Sequence, residues 1–420
     1  MNAQTLLDLI AKTPTAFHAA QNVCEILTKR GFRPLPAQGS VGAGDYYAVR
    51  NGSAVIALRI PEGFDPTVGG LRISAAHGDS PAFKLKPNGN LSGGRLDAEP
   101  YGGMIRSSWL DRPLSIAGRV LVRTENGIES RLICSEPAAV MPNCPPHLTD
   151  RKEHDPDPKS DLVPLFGGKD ADVKTLIASL AGTEPDNVVG HDLFLVNCQP
   201  GVIFGAEKEY IASPRLDDLE CAYTCLDGFL AAEIPTDTVA VYALFDNEET
   251  GSLSYAGAAG TLLKDVFARM IPQEDLRQAV LARSFFVSAD NAHALHPNHP
   301  ELFDAANAPV MNGGPVVKYN ASQRYVSDGF SGAVFAEICR RAGIPVQVFA
   351  NRSDLRGGST LGNLSEAQVP LRGVDIGAAQ LAMHSILETA GAKDAEYLSG
   401  ALKAFYSADF TLNDNGAVWH

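Results

Sequence analysis

Three apolar segments of the sequence each run directly into acidic residues and histidines. The junctions are residues 71–76 before His77 and Asp79, residues 239–245 before Glu248 and Glu249, and residues 285–289 before Asp290 and His293. Each segment has the length and apolar content of a buried strand. Ligands bind at the carboxyl ends of the strands in a parallel α/β sheet, so we expect these side chains to converge in one crevice.

Strands and helices alternate through most of the chain, which predicts an α/β fold with a mostly parallel central sheet flanked by helices. In the second half, the pattern predicts helices at 219–232, 262–270, 329–342 and 374–387, and strands at 238–245, 284–289 and 345–350. The last predicted helix contains His384.

A different pattern occupies the middle of the chain. Short strands at 114–122 and 129–134, together with many prolines, replace the helical periodicity until residues 173–180. We therefore predict a β-rich domain at 98–203, inserted into a domain formed by residues 1–97 and 204–420.

Bulk composition restricts the class of protein. The chain has 420 residues, more than one hydrophobic core usually supports, so two domains are expected. It contains no run of about 18 apolar residues and begins without the pattern of a secretory signal, which predicts a cytoplasmic location. A net charge of −14 argues against nucleic acid or an anionic membrane as a partner.

The cysteine pattern argues against a disulfide framework. The seven cysteines are scattered and odd in number. Cys221 and Cys225 lie one helical turn apart and can either hold a metal ion or pack into a core. The apolar run that follows them favours the core.

Two of the junctions carry residue pairs suited to a metal site. His77 and Asp79 suit a metal-bound imidazole oriented by a carboxylate, although such a pair in isolation is more often part of a polar loop. Glu248 and Glu249 are adjacent, so one can bind metal while the other acts as a general base on water. A solvated acidic loop is the alternative, and the strongly apolar strand before the pair makes it less favourable.

Four further residues complete the set of candidates: Asp217, Lys318, Tyr325 and His384. Asp217 precedes a predicted helix and can either cap that helix or bridge two metal ions. A single helical histidine is more often structural, and Lys318 and Tyr325 individually suggest a surface lysine and a core tyrosine. Taken together, the histidines and carboxylates supply nitrogen and oxygen ligands without a thiolate, which favours a pair of catalytic zinc ions.

The sequence resembles the aspartyl aminopeptidase family of two-zinc exopeptidases nearly from end to end. The matching stretches are residues 13–19, 77–87, 101–103, 109–119, 213–219, 245–252, 288–298, 323–325, 358–362 and 374–386. Their joint occurrence in this order is specific to the family.

The resemblance implies a role for each candidate residue. One zinc ion would be held by His77, Asp217 and Asp290, and the other by the bridging Asp217 with Glu249 and His384. Cobalt and manganese also suit this ligand set. Asp79 would orient His77, and Glu248 would act as general base on the water between the metals.

The resemblance also implies the substrate and the assembly. The substrates would be peptides with a free N-terminus, contacted by His293, Lys318 and Tyr325. Lys318 would bind the carboxylate of an N-terminal Asp or Glu. The inserted domain would dimerise, and the dimers would build a homo-oligomer, a dodecamer.

The sequence departs from the family pattern at three positions. Asn291 and Thr250 replace residues that are usually apolar. Asp161 stands where many members carry a histidine that reaches a neighbouring subunit's site, and His154 is the nearby alternative. Other functions stay open: an aminopeptidase of broad or neutral preference, a two-zinc deacylase or carboxypeptidase, and a catalytically silent assembly protein.

Overall fold

The chain forms both helices and strands in the computed structural model, which describes residues 1–36, 38–39, 41–148, 155–413 and 416–420. The helices are α1 (Ala3–Ala11), α2 (Ala16–Lys29), α3 (Val173–Leu180), α4 (Leu216–Ala231), α5 (Leu262–Met270), α6 (Glu274–Ala282), α7 (Gly329–Arg341), α8 (Leu361–Gln368) and α9 (Asp394–Ser407). The strands up to the middle of the chain are β1 (Arg33–Pro34), β2 (Gly44–Arg50), β3 (Ala54–Ile60), β4 (Gly70–His77), β5 (Ala82–Leu91), β6 (Arg95–Tyr101), β7 (Pro113–Thr124), β8 (Gly127–Cys134), β9 (Ala139–Val140) and β10 (Val188–Val196). The later strands are β11 (Val202–Phe204), β12 (Tyr210–Ser213), β13 (Thr238–Phe245), β14 (Phe285–Ala289), β15 (Ala292–His293), β16 (Val316–Tyr319), β17 (Gln347–Ala350), β18 (Arg372–Gly377), β19 (Ala379–Leu381), β20 (Glu388–Gly391), β21 (Phe410–Asn413) and β22 (Gly416–Trp419).

The central sheet has the strand order β1-β2-β3-β13-β4-β14-β18-β16-β17. Its middle strands, β13, β4, β14 and β18, run parallel to one another. Every residue of β13 and β4 is buried. Such continuous apolar strands require cover on both faces, and helices supply it. One apolar cluster joins the sheet to α4 and α9, and another joins it to α5 and α6. The prediction of a mostly parallel sheet flanked by helices is confirmed.

The register of the central strands places the ligand-type residues at one edge. In the β13–β4 pair, Phe245 lies opposite His77, so the residues after both strands begin side by side. Strand β14 runs parallel to β4 on the other side and ends one residue before Asp290. All three predicted junctions therefore open into the same crevice.

A second, antiparallel sheet has the order β6-β5-β10-β7-β8, and β9 pairs with β7. It has its own apolar core, which includes Trp109, Leu114 and Leu193. Its strands β5 and β6 begin at Ala82 and Arg95, so the sheet extends to the N-terminal side of the predicted insertion at 98–203. The division into two domains stays a prediction. A smaller sheet has the strand order β11-β12-β20-β19-β15. Its strand β15 contains His293.

The predicted helix at residues 374–387 is wrong. Strands β18 and β19 occupy its first part, and His384 lies in the turn before β20 with a φ of +66°. Val374 and Ile376 lie in a central strand that is buried on both faces, and a short apolar run of this kind matches a helix and a buried strand equally well. Pairing with β14 and β16 selects the strand. The last helix is instead α9.

Two expectations about other classes of site have clear outcomes. Cys221 and Cys225 are buried in the apolar core beneath α4, as the core interpretation predicts. Among the described residues, no helix combines the length and apolar content that crossing a bilayer requires.

Candidate metal centre

Asp217 lies between two histidines that arrive from distant parts of the chain. Its Oδ1 is 3.5 Å from Nε2 of His77, and its Oδ2 is 3.3 Å from Nε2 of His384. Nε2 of His384 is also 3.4 Å from Oε2 of Glu249. A side chain that presents one oxygen to each of two imidazoles has the geometry of a carboxylate that can bridge two metal positions.

Two groups of potential ligand atoms share Asp217. One consists of His77, Asp217 and Glu249, and the other of Asp217, Asp218 and Asp290, with the ligand atoms of each group within 4.8 Å of one another. Asp218 was not predicted as part of the site. Its Oδ2 accepts the backbone N–H of His77 at 3.2 Å, so it also holds the end of β4 in place. The Asp217–Asp218 peptide bond is cis.

Unpaired oxygen atoms in this cluster fit a cation. Oδ1 of Asp217 and Oε1 of Glu249 are buried and accept no hydrogen bond. Burial raises the pKa of Glu249, whereas a bound cation would favour its charged form. Among the described residues, the two groups consist of histidine and carboxylate donors, which are ligands of catalytic zinc sites. The residues present therefore fit a zinc centre.

Asp79 fixes the loop that carries the two glutamates. Its Oδ1 accepts the backbone N–H of Glu248 at 3.1 Å, and its Oδ2 accepts that of Glu249 at 3.2 Å and the hydroxyl of Tyr101 at 2.7 Å. Nδ1 of His77 lies 3.4 Å from Oδ1 of Asp79 and 3.0 Å from its backbone oxygen. One buried carboxylate thus positions residues from β4 and from the turn after β13. Tyr101 belongs to the family-matching stretch 101–103, but the sequence did not indicate this role for it.

Glu388 is a second positioning residue that sequence reasoning missed. Its Oε2 accepts the backbone N–H of Asp217 at 2.9 Å, and its Oε1 accepts that of His384 at 2.8 Å. The side chain is buried, and burial raises the pKa of Glu388 to about 8. A glutamate at the start of an ordinary β-strand gives no sequence pattern that distinguishes it from a surface residue.

Glu248 faces the same cleft but belongs to neither of the two ligand groups. It lines the cleft with His77, Asp217 and Asp290. Burial raises the pKa of Glu248 to about 7, and the negative charges of Asp290 and Asp79 add to this effect. A carboxylate with a pKa near neutrality is suited to accept and return a proton.

The cleft beside these residues has a volume of about 310 Å³, and His293, Lys318 and Tyr325 contribute to its lining. Lys318 is 3% exposed and donates to the backbone oxygens of Asp290 at 2.7 Å and Asn291 at 3.2 Å. Burial lowers the pKa of Lys318, but the charges of Asp290, Tyr325 and Asp375 together outweigh burial, so the pKa lies above its ordinary value. A buried, charged ammonium group therefore faces the cleft and also holds the segment that carries Asp290.

Asn291 has a structural reason for replacing an apolar residue. It is buried and donates through Nδ2 to Oε1 of Gln380 at 2.8 Å and to the backbone oxygen of Leu216 at 3.2 Å. Its Oδ1 accepts from Sγ of Cys221 at 3.1 Å. Asn291 thus connects the segments that carry Asp290 and Asp217.

Asp161 lies outside this cluster in its own polar loop, where its Oδ2 accepts the backbone N–H of Asp157 at 2.9 Å. His154 lies outside the residues that the structure describes.

Comparisons with known proteins show the family of the chain. A family model described as aminopeptidase I zinc metalloprotease (M18) matches residues 9–406. The chain is 38% identical over 428 residues to a probable M18 family aminopeptidase 2 of Clostridium novyi, and 37% identical over 423 residues to one of Pseudomonas paraeruginosa. Both matches cover 96% of this chain and 98% of the relative.

A solved structure shows the same fold. The mApe1 dodecamer of yeast matches with a TM-score of 0.84 and 29% identity, and the match covers 96% of both chains. The match of the family model to nearly the whole sequence, with relatives that are equally complete, confirms the family that the motifs predict. The chain belongs to the M18 family of zinc metalloprotease aminopeptidases.

Proposed function

We propose that this aminopeptidase removes an N-terminal Asp or Glu from peptides, with Glu248 as the general base. The observation that carries the proposed specificity is the buried ammonium group of Lys318, which lines the cleft beside the metal-ligand cluster. A lysine held away from water is a suitable partner for the side-chain carboxylate of a substrate.

The proposed metal ligands are His77, Asp217 and Asp290 for one zinc ion, and Asp217, Glu249 and His384 for the other. When bound, the two zinc ions supply Lewis acidity, which polarises a carbonyl and lowers the pKa of water. The proximity of Asp217 to both histidines supports its bridging role. Asp79 and Glu388 then keep the ligands in position, as hydrogen-bonded partners of metal ligands commonly do.

Glu248 moves the proton in the proposed reaction. Its carboxylate accepts a proton from the attacking water and returns it to the amine of the leaving peptide. The hydrogen bond from its backbone N–H to Asp79 holds it in the cleft, and a pKa raised by burial suits a group that accepts and returns a proton. Glu249, the next residue in the chain, is then available to bind metal.

Lys318 favours a preference for N-terminal Asp or Glu over the alternative functions. Its two hydrogen bonds to backbone oxygens leave one of three ammonium donors for a substrate carboxylate. Tyr325 lies against it, with the ammonium 5.4 Å from the ring centroid. A carboxypeptidase would require an arginine for the C-terminal carboxylate, and among the described residues the lining of this cleft includes none.

The proposed assembly is a homo-oligomer built from dimers, with residues 98–203 as the dimerisation domain and a dodecamer as the final state. The dodecameric yeast relative supports this proposal. The proposed location is the cytoplasm, in keeping with the absence of a membrane-spanning helix among the described residues and with the composition of the chain.

The test is a panel of aminoacyl chromogenic substrates with N-terminal Asp, Glu, Leu, Ala or Lys, assayed with zinc and with a chelator. The wild type is compared with Lys318→Met, and exposed Lys403→Met is the matched control. We expect chelator-sensitive cleavage that favours Asp or Glu, and loss of that preference only in Lys318→Met. Zinc content is measured in parallel, because Lys318 also contacts the backbone of Asp290.

Two other outcomes have distinct meanings. Chelator-sensitive cleavage of Leu or Lys substrates would support an aminopeptidase activity but contradict the proposed preference for N-terminal Asp or Glu. A zinc-loaded chain that cleaves no substrate with a free amino group would favour the deacylase or the silent assembly protein.

A further inference from the structure

Two cysteines lie side by side on the second sheet, away from the metal centre. Cys134 is the last residue of β8, and Cys198 follows β10 by two residues. Both strands pair with β7, one on each side of it. The two Sγ atoms are 3.8 Å apart, and both residues are exposed.

This spacing is close to the requirement for a disulfide bond. An S–S bond is about 2.05 Å long, so the sulfur atoms must approach by about 1.8 Å. Cys134 is at a strand end and Cys198 is in a loop, where side-chain rotation and small backbone shifts are least restricted. The two sulfur atoms can therefore approach each other without a change in the strand pairing of the sheet.

The surroundings of the pair activate one thiol. The hydrogen bond between the two sulfur atoms lowers the pKa of Cys198 to about 6, and the positive charge of Arg215 contributes in the same direction. The same hydrogen bond raises the pKa of Cys134. The lowered pKa favours the thiolate of Cys198, which is the form that reacts with oxidants.

We propose that Cys134 and Cys198 are a modification site that a peroxide converts reversibly into an intrachain disulfide. The Cys198 thiolate attacks one oxygen of hydrogen peroxide, which forms a sulfenic acid and releases hydroxide. The sulfur of Cys134 then attacks the sulfur of Cys198, which forms the S–S bond and releases water after proton transfer. In total, two thiols and one peroxide give one disulfide and two waters.

The disulfide would act on the metal centre through Asn197. Its backbone oxygen accepts a hydrogen bond from Nη1 of Arg215 at 2.7 Å, and its Nδ2 donates to the backbone oxygen of Ile386 at 3.2 Å. Arg215 precedes Asp217 by two residues, and Ile386 follows His384 by two residues. Movement of Cys198 toward Cys134 pulls its neighbour Asn197, which contacts both ligand-bearing segments. We expect oxidation to lower zinc affinity about tenfold. Mutation of residues that orient metal ligands commonly lowers metal affinity about 10–100-fold, and a small displacement should have an effect at the lower end of that range.

The experiment treats the zinc-loaded full-length protein with a small excess of hydrogen peroxide and maps its peptides without reduction. We expect the intact mass to fall by two hydrogen atoms, a peptide cross-link between Cys134 and Cys198, and recovery with dithiothreitol. Cys144→Ser, which removes another exposed thiol, should behave as the wild type. Cys134→Ser should form no cross-link and should retain an oxidised Cys198.

Zinc affinity is measured by competition with a chelator for the oxidised and reduced chains, with oxidised Cys134→Ser as the control. A cross-link to Cys144, a disulfide between two subunits, or irreversible oxidation of Cys198 in the wild type would overturn the modification site. Equal zinc affinity before and after formation of the mapped disulfide would overturn its coupling to the metal centre. Neither readout depends on peptide hydrolysis, so failure of the proposed specificity would leave both results interpretable.

Discussion

Glu388 accepts a hydrogen bond from the backbone N–H of Asp217 at 2.9 Å, and its second carboxylate oxygen accepts one from the backbone N–H of His384 at 2.8 Å. The two segments are far apart in sequence and are aligned by this one buried side chain. The metal centre therefore depends on a residue that is not itself a proposed ligand.

The variant Glu388→Gln tests this dependence. An amide nitrogen cannot accept a hydrogen bond, so one of the two backbone N–H groups loses its partner. We expect zinc affinity to fall about 10–100-fold, as measured by competition with a chelator. Exposed Glu396→Gln on α9 is the matched control. Unchanged affinity in Glu388→Gln would show that the ligands are held without it.

The variants Glu248→Gln and Glu249→Gln separate the two proposed roles of the adjacent glutamates. Loss of the proposed base should lower kcat about 10²–10⁴-fold while zinc content stays unchanged. Loss of the proposed ligand should lower zinc content as well. Zinc analysis by mass spectrometry and steady-state kinetics check both results. Equal loss of zinc in the two variants would contradict the assignment of Glu248 as a base.

Removal of bound metal should destabilise the protein. Without a cation, Oδ1 of Asp217 and Oε1 of Glu249 stay buried without a hydrogen bond, in two residues of the same group of potential ligands. A metal present at about 1,000 times its Kd contributes about 4 kcal/mol. We expect chelation to lower Tm in differential scanning calorimetry, and zinc, cobalt or manganese to restore it. Magnesium should not, since it favours octahedral oxygen coordination. A Tm unaffected by chelation would contradict a metal bound at this cluster.

Gly377 lies where the backbone of β18 approaches Asp290. A Cβ at this position would collide with the backbone oxygen of Asp290. Gly377→Ala should therefore shift the segment that carries Asp290, with a loss of about 1–3 kcal/mol in the free energy of unfolding and weaker zinc binding. Urea unfolding and chelator competition measure these effects. Gly329→Ala, where no atom lies within 4 Å of the new Cβ, is the control.

The reactivity of Cys198 should extend to lower pH than that of an ordinary thiol. Its pKa is lowered to about 6 by the hydrogen bond with Cys134 and by the charge of Arg215, so we expect the thiolate to predominate above that pH. An unperturbed thiol has a pKa of about 8.5. We expect the rate of iodoacetamide alkylation at Cys198 to reach half its maximum near pH 6, and that of a model cysteine peptide near 8.5. In Cys134→Ala, which removes the hydrogen-bonding partner, the midpoint at Cys198 should rise toward the ordinary value. A wild-type midpoint near 8.5 would exclude activation of this thiol.

The central elements of the fold are predictable because they have strong local patterns. The predicted strand at 238–245 and the predicted helix at 262–270 match β13 and α5 residue for residue. All residues of β13 are buried, and α5 is long enough for its buried residues to recur with the helical period. The pattern is weaker at residues 374–387, where pairing with neighbouring strands decides between helix and strand.

The sequence by itself determined the family, the mostly parallel sheet and the identity of the residues that gather at its edge. These follow from apolar periodicity and from motifs within short stretches of chain. Only the tertiary structure decided that His384 lies in a turn, that Glu388 and Asn291 connect the ligand segments, and that Lys318 binds backbone oxygens. It also brought together Cys134 and Cys198, which are 64 positions apart. The physical reason is that such contacts depend on how distant strands pair and pack, and no local pattern of side chains encodes that arrangement.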